Sequence, residues 1–186
     1  MNPKVSSKEE ILATCREIVS TEGLNQLTVR RVADEAGIAL GSIYNYFGSK
    51  EELILETIGS IWRIILKDCL QIRPEQTLCD YLWDLYQVIQ AGEKQFPGFL
   101  MGHGQLLKGA GKKTGQERMQ GVFKQFEKNM TACLLQDSQI RSDLWDEELN
   151  VEKFTQMIFP LFMDSLTKGS PSFEDLKILV NHYLYR

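Results

Sequence analysis

Residues Thr28 to Lys50, TVRRVADEAGIALGSIYNYFGSK, leave the chain few folds to adopt. Apolar or small residues fall at Val29, Val32, Ala33 and Ala36, which is helical spacing. Gly37 then offers the permissive backbone at which a chain changes direction. Ile38, Ile43, Tyr46 and Phe47 give a second short helix a face with which to pack on the first. Two helices crossing steeply need a small residue at closest approach, and Ala33 supplies it. The pattern predicts a helix-turn-helix, whose second helix lies in the DNA major groove.

Ile-Tyr-Asn-Tyr-Phe-Gly-Ser-Lys-Glu-Glu-Leu (Ile43 to Leu53) and Leu-Thr-Val-Arg-Arg-Val-Ala-Asp-Glu-Ala-Gly (Leu27 to Gly37) sharpen this reading. Together they closely resemble the DNA-binding headpiece of the TetR family of bacterial transcription regulators. The resemblance covers roughly the first third of the chain. It implies that Arg30 reaches a base edge, that Tyr44 and Tyr46 touch bases or phosphates, and that Thr28, Ser42 and Lys50 hold phosphates. Two positions depart from the family's commonest pattern. Ala39 stands where a capping Ser or Thr is frequent, so the recognition helix starts without a side-chain cap, at a cost of about 1 kcal/mol. Leu40 stands where a polar or basic residue is frequent, so any readout from it is apolar.

The residues themselves suggest how that helix, about Leu40 to Phe47, meets DNA. Leu40 and Tyr44 share one face, as do Gly41 and Asn45, while Ile43 and Phe47 turn to the core. Tyr44 offers a ring to thymine methyls and a hydroxyl to a base or phosphate. Ser42 and Asn45 suit base edges or backbone. Tyr46 is equally well read as a buried residue. Lys50 falls in the first turn of the next helix, where the dipole favours acids, a conflict that an adjacent phosphate resolves.

Charge is awkward for a nucleic-acid binder. The 186-residue chain carries a net charge of −4, and residues 1–60 hold six Lys/Arg against nine Asp/Glu. Binding then rests on placement: Arg30, Arg31 and Lys50 are the local positives, helix N-termini add amide contacts to phosphate, and the acids are expected on other faces. Hydrophobic and charged contents of 43% and 25% are those of an ordinary globular protein. No apolar run is long enough to span a bilayer, and MNPKVSSKEE lacks the apolar core of a signal peptide. A cytoplasmic protein without membrane contact is expected. Cys15, Cys69, Cys79 and Cys133 are scattered without a CxxC pair, and His103 and His182 are isolated, so neither a metal nor another cofactor is expected. No Ser-His-Asp or Cys-His set is readable, so the chain is not expected to be an enzyme.

Along the chain, Ser7 with Glu10 reads as a capping box opening a first helix with an Ile11, Leu12, Cys15, Ile18, Val19 stripe that ends at Gly23. Thr28 caps the second helix. Ser49 with Glu52 reads as a second capping box, starting a helix to about Leu70. After Arg73-Pro74, a helix fits Gln76 to about Lys94, and Phe96-Pro97-Gly98 is a turn. Gly109 to Gly115, GAGKKTG, reads as a flexible loop; it is superficially like a phosphate-binding loop, but the GxxxxGK[ST] spacing is not met. Helices follow over Gln116 to about Leu135 and Val151 to Leu166, the latter with Pro160 inside it, separated by an acidic loop. Ser170-Pro171 reads as the cap and first turn of a last helix reaching Tyr185.

The fold class expected is therefore all-α, with about nine helices. Residues 1–50 form the helix-turn-helix DNA-binding domain, with a linking helix to about 70, and residues 51–186 a helical regulatory and dimerisation domain. A headpiece this small needs two copies, placing recognition helices about 34–36 Å apart on a near-palindromic operator. The dimer surface expected on the last two helices comprises Phe154, Ile158, Phe162, Leu176, Leu179 and Tyr183; the resembled family forms a four-helix bundle there. The resemblance also implies a pocket for a small apolar or aromatic effector, drawn from Trp62, Trp83, Tyr86, Phe99, Met101, His103, Phe123, Phe126, Met130 and Phe159. These are equally the residues of a plain core. Repression is that family's default. The competing reading is a helical protein-interaction adaptor without specific DNA binding, which would lack the steep salt dependence of DNA binding.

Overall fold

The computed structural model describes residues 7–107, 109–167 and 172–186. Among them the chain is all-α: α1 (Lys8–Glu22), α2 (Val29–Ala36), α3 (Leu40–Tyr46), α4 (Lys50–Ile65), α5 (Leu78–Gln95), α6 (Phe99–Leu106), α7 (Gly109–Gln136), α8 (Val151–Thr167) and α9 (Phe173–Tyr185), with a single 3-10 turn at Leu24–Gln26. The chain divides into two compact units, one of Met1–Ile65 with Ala91–Arg118, the other of Leu66–Gln90 with Met119–Arg186.

In the first unit α1 begins with the full capping box, Ser7 accepting from the Glu10 amide and Glu10 from the Ser7 amide. Its stripe Ile11, Leu12, Cys15, Ile18 and Val19 is buried and packs on α2 and α4. Gly23, at φ 88°, ends the helix in a conformation that favours glycine. Thr28 Oγ1 accepts from the Arg31 amide at 3.2 Å to start α2. At the other end Gly37 is left-handed (φ 66°), and the Ile38 amide donates back to the Ala33 carbonyl at 3.1 Å, which closes α2 and turns the chain into α3.

Elsewhere the structure corrects the sequence reading. The linking helix stops at Ile65 instead of about Leu70, giving way to turns before α5. At its start Ser49 Oγ accepts from the Glu52 amide (3.1 Å), but the Glu52 carboxylate takes the Gly48 amide (3.0 Å), so the second capping box is offset by one residue. GAGKKTG is helix, the first two turns of α7. One of its glycines serves packing: a Cβ at Gly115 would lie 2.5 Å from Leu107 Cδ1. Gly109 instead takes a positive φ of 52°, which favours glycine. Further along α7, both terminal nitrogens of Arg118 donate to Glu56 Oε1 of α4 at 3.1 Å.

In the second unit the buried stripe of α5 (Leu78, Tyr81, Leu82, Leu85) shares the core with Phe126, Met130 and Cys133 of α7, Phe154, Ile158 and Phe162 of α8, and Phe173, Leu176 and Val180 of α9. Polar groups inside are matched: Asn129 Nδ2 donates to the Tyr81 hydroxyl (3.0 Å) and the Leu70 carbonyl (3.3 Å). Gln136 Nε2 donates to the Gln76 carbonyl (2.8 Å), and the Tyr185 hydroxyl to the Asp137 carboxylate (2.5 Å). Pro160 lies within α8. The Ser170-Pro171 cap lies outside the described residues; Ser172 caps α9 through a capping box with Asp175.

Candidate nucleic-acid interface

With seven residues and no side-chain cap at Ala39, α3 is too short to hold itself helical in water. Its fixed points are Ile43 (1% exposed) and Phe47 (0%). Burying each contributes about 1.5–3 kcal/mol, enough to outweigh the missing cap. With that side anchored, helical geometry turns Leu40 (45% exposed), Tyr44 (46%) and Tyr46 (36%) outward, together with Gly41 and Asn45, while Ser42 is half-buried. Tyr46 is thus surface-accessible and not a buried residue. Thr28, Arg30 and Lys50 are exposed as well. All nine positions expected at DNA are accessible on the headpiece.

The charges sort themselves. Arg31 is held on two sides, by Glu22 at 2.5 Å and Glu35 at 2.6 Å. These hydrogen bonds push the guanidinium's pKa above its ordinary value and hold Glu22 below its own. Arg31 is therefore not a free positive charge for DNA, contrary to the sequence reading. Arg16 is likewise taken by Glu9 at 2.8 Å, and the Lys8 ammonium lies 5.1 Å from the Phe47 ring centre. Arg30 and Lys50 make no ion pair among the described residues. The Arg31–Glu35 half of the clamp was legible at i,i+4 spacing; Glu22 reaches Arg31 only because Gly23 ends α1 beside α2.

The residues expected to line an effector pocket fall into ring clusters. In the first unit Trp62 lies 5.4 Å from both Phe99 and His103, and Phe99 stacks on His103 at 5.0 Å. His103 Nδ1–H donates to the Phe99 carbonyl at 2.8 Å. Trp62 Nε1 is buried without a hydrogen-bond partner among the described residues, whereas Met101 is 63% exposed. In the second unit Trp83 and Tyr86 stack at 5.9 Å and both meet Phe173. Phe123 meets Phe159 edge-on at 5.4 Å, and Phe126 and Met130 are buried.

The expected dimer surface needs correction. Phe154, Ile158, Phe162 and Leu176 are buried within the chain and Tyr183 is half-buried, stacked on Phe154 at 5.2 Å. Phe154 with Tyr183, and Phe162 with Phe173, join α8 to α9 within the chain. Of the six, Leu179 faces outward (50% exposed), joined by Met157 (57%) and Ile178 (66%), which the sequence reading passed over. Helical periodicity identifies an apolar face without saying whether the same chain or another copy covers it. No group of metal-ligating side chains occurs among the described residues, and no described helix is long and apolar enough to cross a membrane.

Fold and site thus define an all-α protein with a helix-turn-helix headpiece. Residues 11–57 match the family model described as "Bacterial regulatory proteins, tetR family". An HTH-type transcriptional regulator of Haemophilus influenzae is 41% identical over 75 residues, spanning 38% of this chain and 40% of that protein. The HTH-type transcriptional repressor KstR2 of Mycolicibacterium smegmatis is 40% identical over 53 residues, 28% of this chain and 26% of the repressor. The chain thus matches well under half the length of either relative. A transcriptional regulator from Rhodococcus sp. superposes with a TM-score of 0.62 over 92% of this chain and 90% of its own, at 16% identity. Bacillus subtilis FadR in complex with stearoyl-CoA does so at 0.61 over 95% of both chains, at 19% identity. At such identities the likeness is one of fold. The likeness to the TetR family thus rests on the headpiece, residues 11–57, and the relatives matched there are transcriptional regulators.

Proposed function

We propose that this protein is a sequence-specific DNA-binding transcription regulator, acting in the cytoplasm as a homodimer on a near-palindromic operator and repressing by occupancy. The observation that carries the reading is the outward face of α3, where Leu40, Gly41, Tyr44 and Asn45 are held accessible by buried Ile43 and Phe47. In this reading Tyr44, Asn45 and Tyr46 meet bases or backbone, Arg30 a base edge, and Thr28, Ser42 and Lys50 phosphates. Residues 1–50 serve as the DNA-binding domain and 51–186 as the regulatory and dimerisation domain, with α4 leading from one to the other. The dimer forms through α8 and α9, with Met157, Ile178 and Leu179 as the apolar contacts on offer.

Regulation is by a small apolar or aromatic effector. The Trp62, Phe99 and His103 cluster beside α4 supports such a site, and the FadR neighbour was solved with an acyl-CoA. Effector control requires a few kcal/mol of differential affinity between the DNA-competent and released states.

The test is selection of bound fragments from a random DNA pool, with Tyr44→Ala alongside. Enrichment of a near-palindrome by the wild type, lost in the variant and weakening steeply with salt, is expected. A folded dimer that enriches nothing at low salt refutes the reading and leaves a protein-binding adaptor.

A further inference from the structure

We infer that the opening turn of α3 reads thymine C5-methyl groups, so that the operator half-site carries thymine where Leu40 meets the major groove; this rests on α3 being the DNA-reading helix. The first ground is chemical inventory. α3, LGSIYNY, contains no Lys or Arg, so the commonest specific contact to guanine, a basic side chain on O6 and N7, is unavailable from it. The only apolar group on a base edge in the major groove is the thymine methyl, and Leu40 has nothing but methyl groups to present. It is 45% exposed, with the 46% exposed Tyr44 ring one turn further along the same face.

The second ground is Gly41. It sits within a helix at ordinary backbone angles, outside the positive-φ glycines, and a Cβ there would meet nothing within 4 Å. Neither conformation nor internal packing therefore calls for glycine, although glycine weakens a helix relative to alanine. The missing side chain leaves a notch between Leu40 and Ser42 that lets a base edge approach the helix backbone. An apolar side chain beside a notch fits a methyl-bearing base edge better than it fits a charged or hydrated surface.

The experiment uses the full-length dimer and the operator obtained by selection. Each thymine of one half-site is replaced in turn by deoxyuridine, which removes the methyl and leaves base pairing intact. At one or two positions binding should fall about fourfold, the worth of one methyl buried. Leu40→Ala should weaken binding to the thymine operator and abolish the thymine–uracil difference there. Gly41→Ala should leave the thermal midpoint unchanged or higher while weakening binding on the order of tenfold, through overpacking against the base edge. Uracil tolerated at every position would overturn the inference and leave sequence-specific binding standing. A uracil penalty that persists in Leu40→Ala would also overturn it. Failure to select any operator would instead remove the DNA-reading premise.

Discussion

Gly92→Ala tests the packing of α5 against the end of α4. A Cβ at Gly92 would stand 2.6 Å from both Cδ1 and Cγ1 of Ile65 and 3.0 Å from its Cγ2. All three atoms belong to a β-branched side chain that is 8% exposed and closes α4. Such a side chain has one strongly preferred χ1 in a helix, so it cannot swing aside; one of the helices must shift. Overpacking of this kind costs about 1–3 kcal/mol, while alanine's helix propensity returns about 1 kcal/mol. The net expectation is a loss of about 0–2 kcal/mol, read as a lower urea midpoint at unchanged slope. Ile65→Ala removes every offending atom but opens a cavity costing about 2–5 kcal/mol. In the double variant the Gly92→Ala methyl enters that cavity, so the double loss should fall short of the sum by about 1–3 kcal/mol. A Gly92→Ala variant more stable than the wild type, or an additive pair, would refute the close approach.

Two further outcomes follow from groups buried away from the DNA face. Asn129→Ala strips the Tyr81 hydroxyl and the Leu70 carbonyl of a shared donor and should cost about 1–3 kcal/mol, whereas Tyr81→Phe, which leaves Asn129 its other partners, should cost less in the same urea titration. Burial pushes the thiols of Cys15 and Cys79 up to about 11 and Cys133 to about 12, from an ordinary 9. The unfolded chain releases these protons first as pH rises, so their stabilisation is complete below about pH 9 and drains away between about 9 and 12. Alkaline melts should show that fall, reduced in Cys133→Ala relative to its own neutral-pH value. Thiol-labelling at pH 7.5 should be slow until denaturant is added; rapid labelling of folded protein would contradict the burial.

What was legible in the sequence is what local chemistry decides. Ser7 with Glu10, Thr28, and Gly37 with its left-handed turn state the ends of α1 and α2, and the 3.6-residue period selects Ile43 and Phe47 as the anchors of α3. What was not legible depends on the neighbour. Glycines in GAGKKTG punctuate a loop in a sequence reading, but the segment is helix and Leu107 makes Gly115 a place of close approach. Phe162 and Leu176 look like an interface in isolation, and only the α8–α9 packing shows that they are already covered. The DNA face fell between these cases: accessibility followed from periodicity, but Arg31's neutralisation required Glu22, nine residues away.

That engagement bears on how an acidic headpiece would meet an acidic polymer in the proposed function. Glu22 and Glu35 are engaged by Arg31, Glu9 by Arg16 and Glu56 by Arg118, so four of the nine acids in residues 1–60 sit in ion pairs whose fields fall off quickly at physiological salt. Arg30 on α2 and Lys50 at the head of α4 then bracket α3 as cations without a carboxylate partner among the described residues. With few phosphates neutralised per protomer, counterion release supplies little sequence-independent affinity, since each phosphate contributes a salt slope of only about −0.9. On the proposed function, discrimination between operator and bulk DNA then comes from base-edge fit along Leu40, Gly41, Tyr44 and Asn45, and from the engagement of two such faces at once. On the proposed function, a reading head with few free cations keeps non-specific binding low relative to specific binding.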